Sequence, residues 1–587
     1  MKAKDQTGAT PLHHATGFGT LATVKLMLDN GAEVNATNRR GSTPIFWGIH
    51  DEAKVRLLLE RGADIHAKLN DGRMLVYQAA SLGNGLPILR LLLEKGAKAD
   101  TKLLTGNTPL MAASGTAKLE AMALLIEKGV DVNAKSATGT TALMAAATSG
   151  NSQAVKMLLA KGADANVMGK RGQTALADAA MSGNEESVKM LLDAGAKVDV
   201  ADERGYTALL AAAGSDAAPA GVVKMLLAKG ADKNAKGDGE TAAMLAAKRG
   251  DTEVAKLLGV SAETRKMLGV APAPEGSGRE RTVAEAIRPA LLLLEKQSHN
   301  FIRIGGCNSC HAQDLASAAS GLALQRGLPA PKLIPQLPSH MQNNSPERLM
   351  ELNTVALSGI NWEMFDAGTN RAPADVYTDA SVRYIKAMQR PDGSWFSTEG
   401  RRPPMNAGRP QQVALAVFAI KSYGPRAEKA DSDKAIARAA AWLEKQKPVN
   451  TQDRAFHLLG LAWSNASPAV IHAAAKGLAT AQRADGGWSQ MTTMGSDAYA
   501  TGEALYALNV AGKMAPSDAV YQNGMKYLLR TQAPDGSWHV KTRSIWLQPY
   551  FESGFPYAHD QWISAAGTAW AAMALAVTVE PTRITQR

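Results

Sequence analysis

A repeat of about 33 residues fills the first half of this 587-residue chain and constrains its fold more than any other feature. A glycine marks each unit, and successive marker glycines are 33, 31, 34, 33, 33, 33 and 34 residues apart. These glycines are Gly8, Gly41, Gly72, Gly106, Gly139, Gly172, Gly205 and Gly239. A fixed period of this length is typical of a solenoid, in which each unit buries its apolar side only against its neighbours.

Each unit combines two short helices with a loop. A helix that starts at Thr is followed by a glycine turn, a Leu-rich helix such as residues 155–159, and a Gly-Ala-Asp-x-Asn loop such as residues 162–166. This pattern closely resembles that of ankyrin repeats, of which we count eight over residues 1–258. The resemblance implies an all-α solenoid that binds a protein partner through its concave face and its loop tips, which are residues 37–40, 168–171 and 201–204. A solenoid that only supports the second domain is the alternative.

Several details of the repeats give further expectations. Residues 72–75 depart from the pattern and residues 219–221 lengthen one unit, so we expect irregular curvature there. His13 and His14 are most simply groups that hydrogen-bond between repeats, and not metal ligands. Residues 1–5 resemble a loop that closes a preceding repeat, so the chain begins without a polar capping repeat. We therefore expect that the sequence is truncated or that its start is mis-assigned, and that a secretion signal could lie upstream.

Charge and hydropathy exclude two classes of function. The formal net charge is +11, but the basic residues are dispersed and form no run or basic helix. This distribution argues against nucleic-acid binding. The apolar stretch at residues 289–294 is too short to cross a bilayer. The sequence thus predicts no nucleic-acid partner and no transmembrane segment.

A second domain follows a linker rich in Pro, Gly and Ser at residues 259–280. From residue 281 to about residue 580, apolar residues recur with the period of amphipathic helices, and no alternation typical of strands is present. The pattern predicts helices at residues 283–297, 314–325, 346–357, 376–389, 411–422, 435–446, 454–463, 469–482, 497–510, 519–532 and 560–578.

Three of these predicted helices end in one signature, which combines Gln, Asp-Gly and Trp at residues 389–395, 482–488 and 532–538. Asp-Gly forms a tight turn, the Gln amide is expected to satisfy backbone groups at the helix end, and Trp is expected to cover that end. Residues 442–446 end a fourth helix without Gly-Trp. The signatures look like the QW repeats of squalene-hopene cyclases, and residues 554–556 are similar to their closing segment. The resemblance covers about residues 281–580 and implies a terpenoid-cyclase-like α/α toroid.

Cyclase activity is not expected from this resemblance. Hopene-type cyclases protonate an alkene with an Asp-x-Asp-Asp motif, which this sequence lacks, as it also lacks Asp-Asp-x-x-Asp. The nearest string, Asp431-Ser432-Asp433-Lys434, is expected in a polar turn. Aromatic residues could line a cavity or simply pack the barrel; they are Trp538, Trp546, Tyr550, Phe551, Phe555, Tyr557, Trp562 and Trp570. Other candidate lining residues are 497–502, His539, Arg543, Gln548, His559, Asp560 and Gln561.

Both cysteines of the chain lie in the pentapeptide Cys307-Asn308-Ser309-Cys310-His311. The spacing C-x-x-C-H is that of covalent c-type haem, in which two thiols add to the porphyrin vinyl groups and the adjacent imidazole binds iron. The pattern therefore predicts one covalent haem c held by Cys307 and Cys310, with His311 as the proximal ligand. A structural Cys pair, a zinc site and a redox disulfide are the alternatives.

The second axial ligand is less constrained by the sequence. We favour Met341 over His340, with Met350 and Met364 as further candidates. A haem of this type predicts electron transfer or redox sensing with a redox partner, and maturation in the periplasm or elsewhere outside the cytoplasm. Without haem, a cytoplasmic location is expected.

Three classes of function remain open. The first is a protein-binding ankyrin array joined to a barrel that carries haem. The second is an isoprenoid-binding or cyclase-like enzyme with a non-standard active site. The third is a scaffold without catalytic function.

Overall fold

The computed structural model describes residues 3–116, 118–215, 220–261, 281–305, 311–331, 349–350, 357–395, 408–542, 553, 555–557 and 560–581. The chain forms two compact units. The first comprises Met1–Ala242, Ser345–Thr354 and Arg383–Pro391, and the second comprises Ala243–Asn344, Val355–Val382 and Asp392–Arg587. Within the described residues, nearly all secondary structure is α-helical. The domain boundaries predicted at residues 258 and 281 stay predictions.

Seven helix pairs form the first unit. In chain order, α1 to α14 are Pro11–Phe18, Leu21–Asp29, Pro44–Trp47, Glu52–Glu60, Leu75–Ser81, Leu86–Glu94, Pro109–Gly115, Leu119–Glu127, Ala142–Thr148, Ser152–Ala160, Ala175–Ser182, Glu185–Asp193, Ala208–Ala213 and Ala220–Ala228. A short hairpin of β1 (Lys236–Gly237) and β2 (Glu240–Thr241) follows. Helices α15 (Ala242–Ala247) and α16 (Glu253–Leu257) make an eighth pair.

The helix pairs stack in sequence order, as the repeat predicts. The second helices α2, α4, α6, α8, α10, α12 and α14 each contact the next, and the first helices α5, α7, α9, α11 and α13 do the same. Thr108, Thr141 and Thr174 cap first helices, since each hydroxyl accepts a hydrogen bond from the backbone N–H three residues later, at 3.2, 3.3 and 3.2 Å. The expected Thr-started helices are therefore confirmed.

The marker glycines permit a close approach between neighbouring repeats. Gly106 has a φ of 75°, and a Cβ there would lie 2.9 Å from the backbone nitrogen of Ala137 in the next repeat. A side chain at this position would thus meet both the strained left-handed backbone and the neighbouring turn. At the same turns, the N–H of Ala137 donates to the carbonyl of Thr105 at 2.7 Å. The 33-residue spacing of glycine follows from this turn-to-turn contact.

The Asn that ends each Gly-Ala-Asp-x-Asn loop joins one repeat to the next. The Nδ2 of Asn166 donates to the carbonyl of Gly195 at 3.0 Å, and its Oδ1 accepts from the N–H of Lys197 at 2.9 Å. Asn133 makes the same two bonds one repeat earlier. At the next corresponding position, Asp199 makes one such bond, accepting from the N–H of Asp232 at 3.0 Å.

Replacing Asn166 with alanine should lower the free energy of unfolding by about 1–2 kcal/mol, because two inter-repeat hydrogen bonds are lost. Asp199→Ala is the matched control and should have roughly half that effect, since one bond is lost. Urea unfolding of both variants measures the difference. Equal effects of the two substitutions would show that these bonds do not set the stability of the repeat interface.

His13 and His14 hydrogen-bond as the sequence predicts, although only His13 joins two repeats. His13 is fully buried, with its Nδ1 beside the Thr10 hydroxyl at 2.9 Å and its Nε2 beside the carbonyl of Ser42 at 2.9 Å. Burial lowers the pKa of His13 to about 4, although the Ser42 carbonyl partly opposes this shift. His14 instead lies 2.7 Å from the Asp5 carboxylate at the surface.

The depressed pKa of His13 predicts that this unit loses stability in mild acid. Between the ordinary pKa of 6.5 and the folded value of about 4, the unfolded chain binds a proton that the folded chain does not. Stability should therefore fall as the pH falls through this window, by up to about 3 kcal/mol. Unfolding measured from pH 7 to 4 should give a flatter profile for His13→Gln. An unchanged slope, equal to that of the His14→Gln control, would contradict this assignment.

Eleven further helices of the second unit follow α16 in the described residues. In chain order, α17 to α27 are Val283–Gly305, His311–Leu324, Leu357–Thr369, Val376–Met388, Arg409–Tyr423, Lys429–Leu443, Thr451–Trp463, Pro468–Ala479, Ala498–Val510, Ala519–Thr531 and Gln561–Ala576. Helix α19 was not predicted. Its residues 360–367 are all buried, so it lacks the one-sided apolar pattern by which helices are recognised. Most of the helix predicted at residues 346–357 lies outside the described residues.

Six of these helices contact one another in a closed series. Helix α18 contacts α19, and the series continues through α21, α23, α25 and α27, which contacts α18 again. We call these six helices the ring. The remaining helices lie against neighbouring ring members: α22 contacts α21 and α23, α24 contacts α23 and α25, α26 contacts α25 and α27, and α17 contacts α27 and α18.

Candidate functional site

The structure describes little of the predicted haem site. Cys307, Cys310 and Met341 lie outside the described residues, as does His340. Ring helix α18 begins at His311, three residues before the predicted helix start. The two other methionine candidates are both buried: Met350 is 2% exposed and Met364, on α19, is 1% exposed. The haem ligands therefore stay predictions.

The Gln and Trp of the repeated signature hydrogen-bond to backbone carbonyls at the ends of the outer helices, as expected. The Nε2 of Gln482 donates to the carbonyls of Gly486, at 2.9 Å, and Val520, at 2.7 Å. Val520 belongs to α26, so the amide joins one outer helix to the next. Trp488 is fully buried, and its indole N–H donates to the carbonyl of Leu478 at 2.9 Å. The side chains thus add hydrogen bonds to backbone carbonyls in the last turn of α24 and the first turn of α26.

The last signature joins the two ends of the second domain's helical series. The Nε2 of Gln532 donates to the carbonyl of Gly536, at 2.9 Å, and to that of Ala286 in α17, at 2.8 Å. The Nη1 of Arg281 donates a hydrogen bond to the Oε1 of Gln532 at 2.7 Å. Trp538 is buried and donates to the carbonyl of Leu528 at 2.8 Å. Residues 246 positions apart are therefore held together by one side-chain amide.

Aromatic side chains from several ring helices contact one another in the interior of the ring. Trp570 of α27 has its ring centroid 6.3 Å from that of Trp362 on α19, 6.1 Å from Phe456 on α23 and 5.5 Å from Tyr506 on α25. Phe365 and Tyr506 meet at 6.5 Å from opposite members of the series, so their contact crosses the interior. We call this set the aromatic layer: Trp362, Phe365, Phe418, Phe456, Trp463, Tyr506 and Trp570.

A set of polar side chains lies one to two helical turns nearer the amino ends of the ring helices. Residues three, four or seven apart share one face of a helix, so Tyr499 and Glu503 share the inward face of Tyr506 on α25. Gln452 likewise precedes Phe456 by four residues on α23. We call Gln452, Asp453, Tyr499 and Glu503 the polar layer. A Cβ at Gly502 would lie 2.5 Å from the carbonyl carbon of Trp570, so α25 and α27 pack closely at this height.

Much of the polar layer makes no hydrogen bond within the described residues. Glu503 is 0% exposed, and neither of its carboxyl oxygens has a partner there. Gln452 is 5% exposed, and neither atom of its side-chain amide has a hydrogen-bond partner among the described residues. The Oδ2 of Asp453 accepts from Asn450 at 2.9 Å, whereas its Oδ1 has no partner among the described residues. Buried polar groups in native proteins are usually paired, so this concentration is unusual.

The polar layer holds carboxyl groups that are easily protonated. Burial raises the pKa of Glu503 well above its ordinary range, and the nearby Asp453 and Asp497 carboxyls raise it further. Burial also raises the pKa of Asp453 to about 6, opposed by its bond to Asn450. Asp497 caps α25 by accepting from the N–H of Ala500 at 3.0 Å, and burial raises its pKa to about 6. The sequence analysis singled out residues 497–502 but missed Glu503 and Asp453.

A second group of buried acids lies on α18 and α19. Burial raises the pKa of Asp314, and the Asp366 and Glu363 carboxyls add to this shift. Unlike Glu503, two of these side chains have partners: Tyr377 donates to Glu363, and the Nδ2 of Asn370 donates to the Oδ1 of Asp366 at 2.6 Å. The Oδ2 of Asp314 has no hydrogen-bond partner among the described residues. Sequence analysis missed Glu363 and Asp366, because it missed the helix that carries them.

The other candidate residues have structural surroundings where they are described. His539 pairs with Asp560 at 2.9 Å and stacks on Tyr557 with ring centroids 4.4 Å apart. Phe555 is buried. Asp433 lies in helix α22 and pairs with Lys429 at 2.5 Å, which corrects the polar turn expected there. The candidates outside the described residues are Arg543, Trp546, Gln548, Tyr550, Phe551 and His559.

The described part of the chain lacks a membrane-spanning helix and a metal-binding cluster. No helix there combines the length and apolar character needed to cross a bilayer. Nor do those residues contain a cluster of three or more His, Cys, Asp or Glu side chains arranged to hold a metal ion.

The loop tips expected to contact a partner are only partly exposed. Thr37, Arg39 and Lys170 are exposed, whereas Asn38 is buried and its Oδ1 accepts from the N–H groups of Arg40, at 2.8 Å, and Ser42, at 3.0 Å. Asn38 therefore shapes its loop.

Three curated proteins each resemble a part of this chain. Drimenyl diphosphate synthase of Streptantibioticus cattleyicolor is 27% identical over 179 residues, which cover 28% of this chain and 32% of that enzyme. Human B-cell lymphoma 3 protein is 33% identical over 116 residues, covering 19% of this chain and 25% of the relative. The mouse homolog of that protein is 27% identical over 116 residues. The chain thus spans about a quarter to a third of the length of these curated relatives.

The repeat region matches a family of known proteins. The crystal structure of the human ASB11 ankyrin repeat domain aligns with 27% identity and a TM-score of 0.33, covering 38% of this chain and 99% of that one. A family model for ankyrin repeats matches three times, at residues 1–69, 76–169 and 159–237. Residues 1–237 of this chain are therefore ankyrin repeats.

Proposed function

We propose that the chain binds a protein partner through its ankyrin solenoid and carries one covalent haem on a terpenoid-cyclase-like α/α toroid, acting in electron transfer or redox sensing. The observation that carries this proposal is the pentapeptide at residues 307–311, whose last residue is also the first residue of a ring helix. An extracytoplasmic location follows from the proposed haem, because thioether attachment is completed there.

Protein binding is the best supported part of this proposal. The stacked helix pairs present rows of exposed loop-tip residues, including Arg39, Lys170 and Arg171. A solenoid of this type offers an extended surface to a partner. Once a partner is isolated, Lys170→Glu should weaken its binding without changing the thermal unfolding of the solenoid. Unchanged binding of variants at all three positions would exclude the loop tips from the interface.

The α/α toroid is supported by two features of the second unit. The six ring helices contact one another in a closed series, and outer helices lie between neighbouring members. The Gln532 amide, at the end of outer helix α26, donates to the carbonyl of Ala286 in the first turn of α17. The partial similarity to drimenyl diphosphate synthase is consistent with the same architecture.

The donor set fits a covalent haem. Two thiols separated by two residues and followed by an imidazole are the groups that c-type attachment requires. Cys307 and Cys310 would form the thioethers, His311 would be the proximal ligand, and Met341 is our proposed distal ligand. When bound, the haem would supply a one-electron couple.

An optical spectrum tests the redox part of the proposal. The full chain, produced with a cytochrome maturation system, should show haem bands that change reversibly on reduction. Met341→Ala should alter these bands and shift the midpoint potential, because a thioether ligand raises the potential. Bands and potential identical to those of the unsubstituted protein would remove Met341 as a ligand.

A cyclase-like enzyme is the second candidate, favoured by the buried carboxyl groups of the polar layer, whose pKa values are raised by burial. Such groups are suited to donate a proton to a substrate. The aromatic layer counts against a large apolar substrate at its own level, because its side chains meet across the interior. Incubation with squalene followed by product analysis tests this candidate, with Glu503→Gln as the control. Product from the unsubstituted protein alone would favour it over a purely redox role.

A further inference from the structure

We propose that the polar layer is a binding site for a small organic ammonium ion, held by Glu503 and Gln452 above the aromatic layer. The proposal does not depend on the haem. It starts from two side chains that have no hydrogen-bond partner within the described residues and that lie on different helices facing the same interior. Glu503 is fully buried on α25, and Gln452 is 5% exposed on α23.

The hydrogen-bonding capacity of these side chains indicates what the ligand must offer. Glu503 and the Oε1 of Gln452 can accept hydrogen bonds, as can the Oδ1 of Asp453, and none has a donor among the described residues. Each buried polar group left unpaired costs about 1–3 kcal/mol, so the arrangement is unfavourable unless something completes it. A primary ammonium group supplies three donors from one atom. It could therefore donate to Glu503 and Gln452 together.

The charges around Glu503 favour a cation over a neutral ligand. The described groups that act electrostatically on its carboxyl are Asp453 and Asp497, and both are acidic. This local acidity is opposite to the net charge of the chain, which is +11. A cationic ligand would complement these carboxyl groups and would favour their ionised form.

The surroundings favour an organic cation over a metal ion. The described residues contain no cluster of three His, Cys, Asp or Glu side chains arranged to hold a metal. Phe456 lies four residues beyond Gln452, and Tyr506 lies three residues beyond Glu503, so aromatic rings lie next to the acceptors. Aromatic faces attract organic cations and contact their apolar substituents. The expected ligand therefore combines an ammonium group with a short apolar chain.

Calorimetric titration of the full chain with methyl-, n-butyl- and benzylammonium tests the proposal. At least one should bind saturably, and n-butanol, a neutral molecule similar in shape to n-butylammonium, should bind at least about tenfold more weakly. Glu503→Gln keeps the shape of the side chain but removes its charge, and it should weaken ammonium binding by about tenfold or more. Asp433→Asn makes the same change in net charge on an exposed helix and should leave binding unchanged.

Two results would overturn the proposal. One is that none of the three ammonium ions binds saturably to the unsubstituted chain. The other is that Glu503→Gln binds as tightly as the unsubstituted chain. Thermal unfolding of Glu503→Gln checks that the ring is folded, and we expect its stability to be unchanged or increased, because a buried acid has been removed. If that variant unfolds, Gln452→Leu replaces it, with the same expected loss of binding.

Discussion

Replacing Gln532 with alanine should lower the free energy of unfolding of the second unit by about 2–6 kcal/mol. The substitution removes the donor to two buried carbonyls, those of Ala286 and Gly536, and the acceptor of Arg281. A buried carbonyl that loses its partner costs about 1–3 kcal/mol. Ala286 is in the first turn of α17, so the contact between the two ends of the helical series is lost as well. Chemical denaturation followed by tryptophan fluorescence measures this change.

Gln446→Ala is the matched control for this prediction. Gln446 also ends an outer helix, but its Nε2 donates to the carbonyl of Trp442 in the same helix, at 2.9 Å, and the Gly-Trp that follows the other signatures is missing. We expect a loss of at most about 1.5 kcal/mol. If Gln446→Ala and Gln532→Ala destabilise the protein equally, the Gln532 contact does not close the helical series.

Replacing Trp570 with alanine should destabilise the same unit by about 3–5 kcal/mol, because a fully buried indole leaves a cavity. The indole contacts aromatic rings from α19, α23 and α25, so four ring helices lose packing together. The near-ultraviolet circular dichroism should weaken as the remaining rings lose their fixed arrangement. Thermal and urea unfolding give the magnitude.

Trp570→Phe separates the loss of packing from the loss of a specific indole. Phenylalanine fills much of the volume of the indole. We therefore expect Trp570→Phe to lose less than about half of the stability that Trp570→Ala loses. Trp463→Ala is a second control, because Trp463 is only partly buried at the edge of the aromatic layer. A change below about 1 kcal/mol for Trp570→Ala would show that the interior is not packed as described.

The sequence predicted the parts of the fold that repeat. Glycines with positive φ, Thr caps and the Gln-Trp signatures recur at fixed positions, and each has a local physical cause that can be recognised without the structure. Helix α19 could not be recognised in this way. It is buried on all sides, and its polar residues Asn361, Glu363 and Asp366 interrupt the apolar pattern.

The polar layer was harder still to predict. Gln452 and Glu503 are unremarkable in sequence, since Gln and Glu are common on exposed helix faces. Their significance depends on which face of each helix points inward, and that face is set by the closed series of six helices. The raised pKa of Glu503 likewise follows from burial and from the neighbouring Asp453 and Asp497 carboxyls. The signal that could have identified Glu503 is its position three residues before Tyr506 in a helix without a polar face.

Covalent attachment of haem is the claim on which the proposed redox function depends, and the mass of the intact protein tests it most directly. After expression with a cytochrome maturation system and extraction with acid acetone, the chain should retain its colour and the added mass of one haem. Cys307→Ser with Cys310→Ser should abolish both, whereas Ser309→Ala should change neither. A chain that loses its colour on extraction, or has the mass of the unmodified polypeptide, would contradict the account.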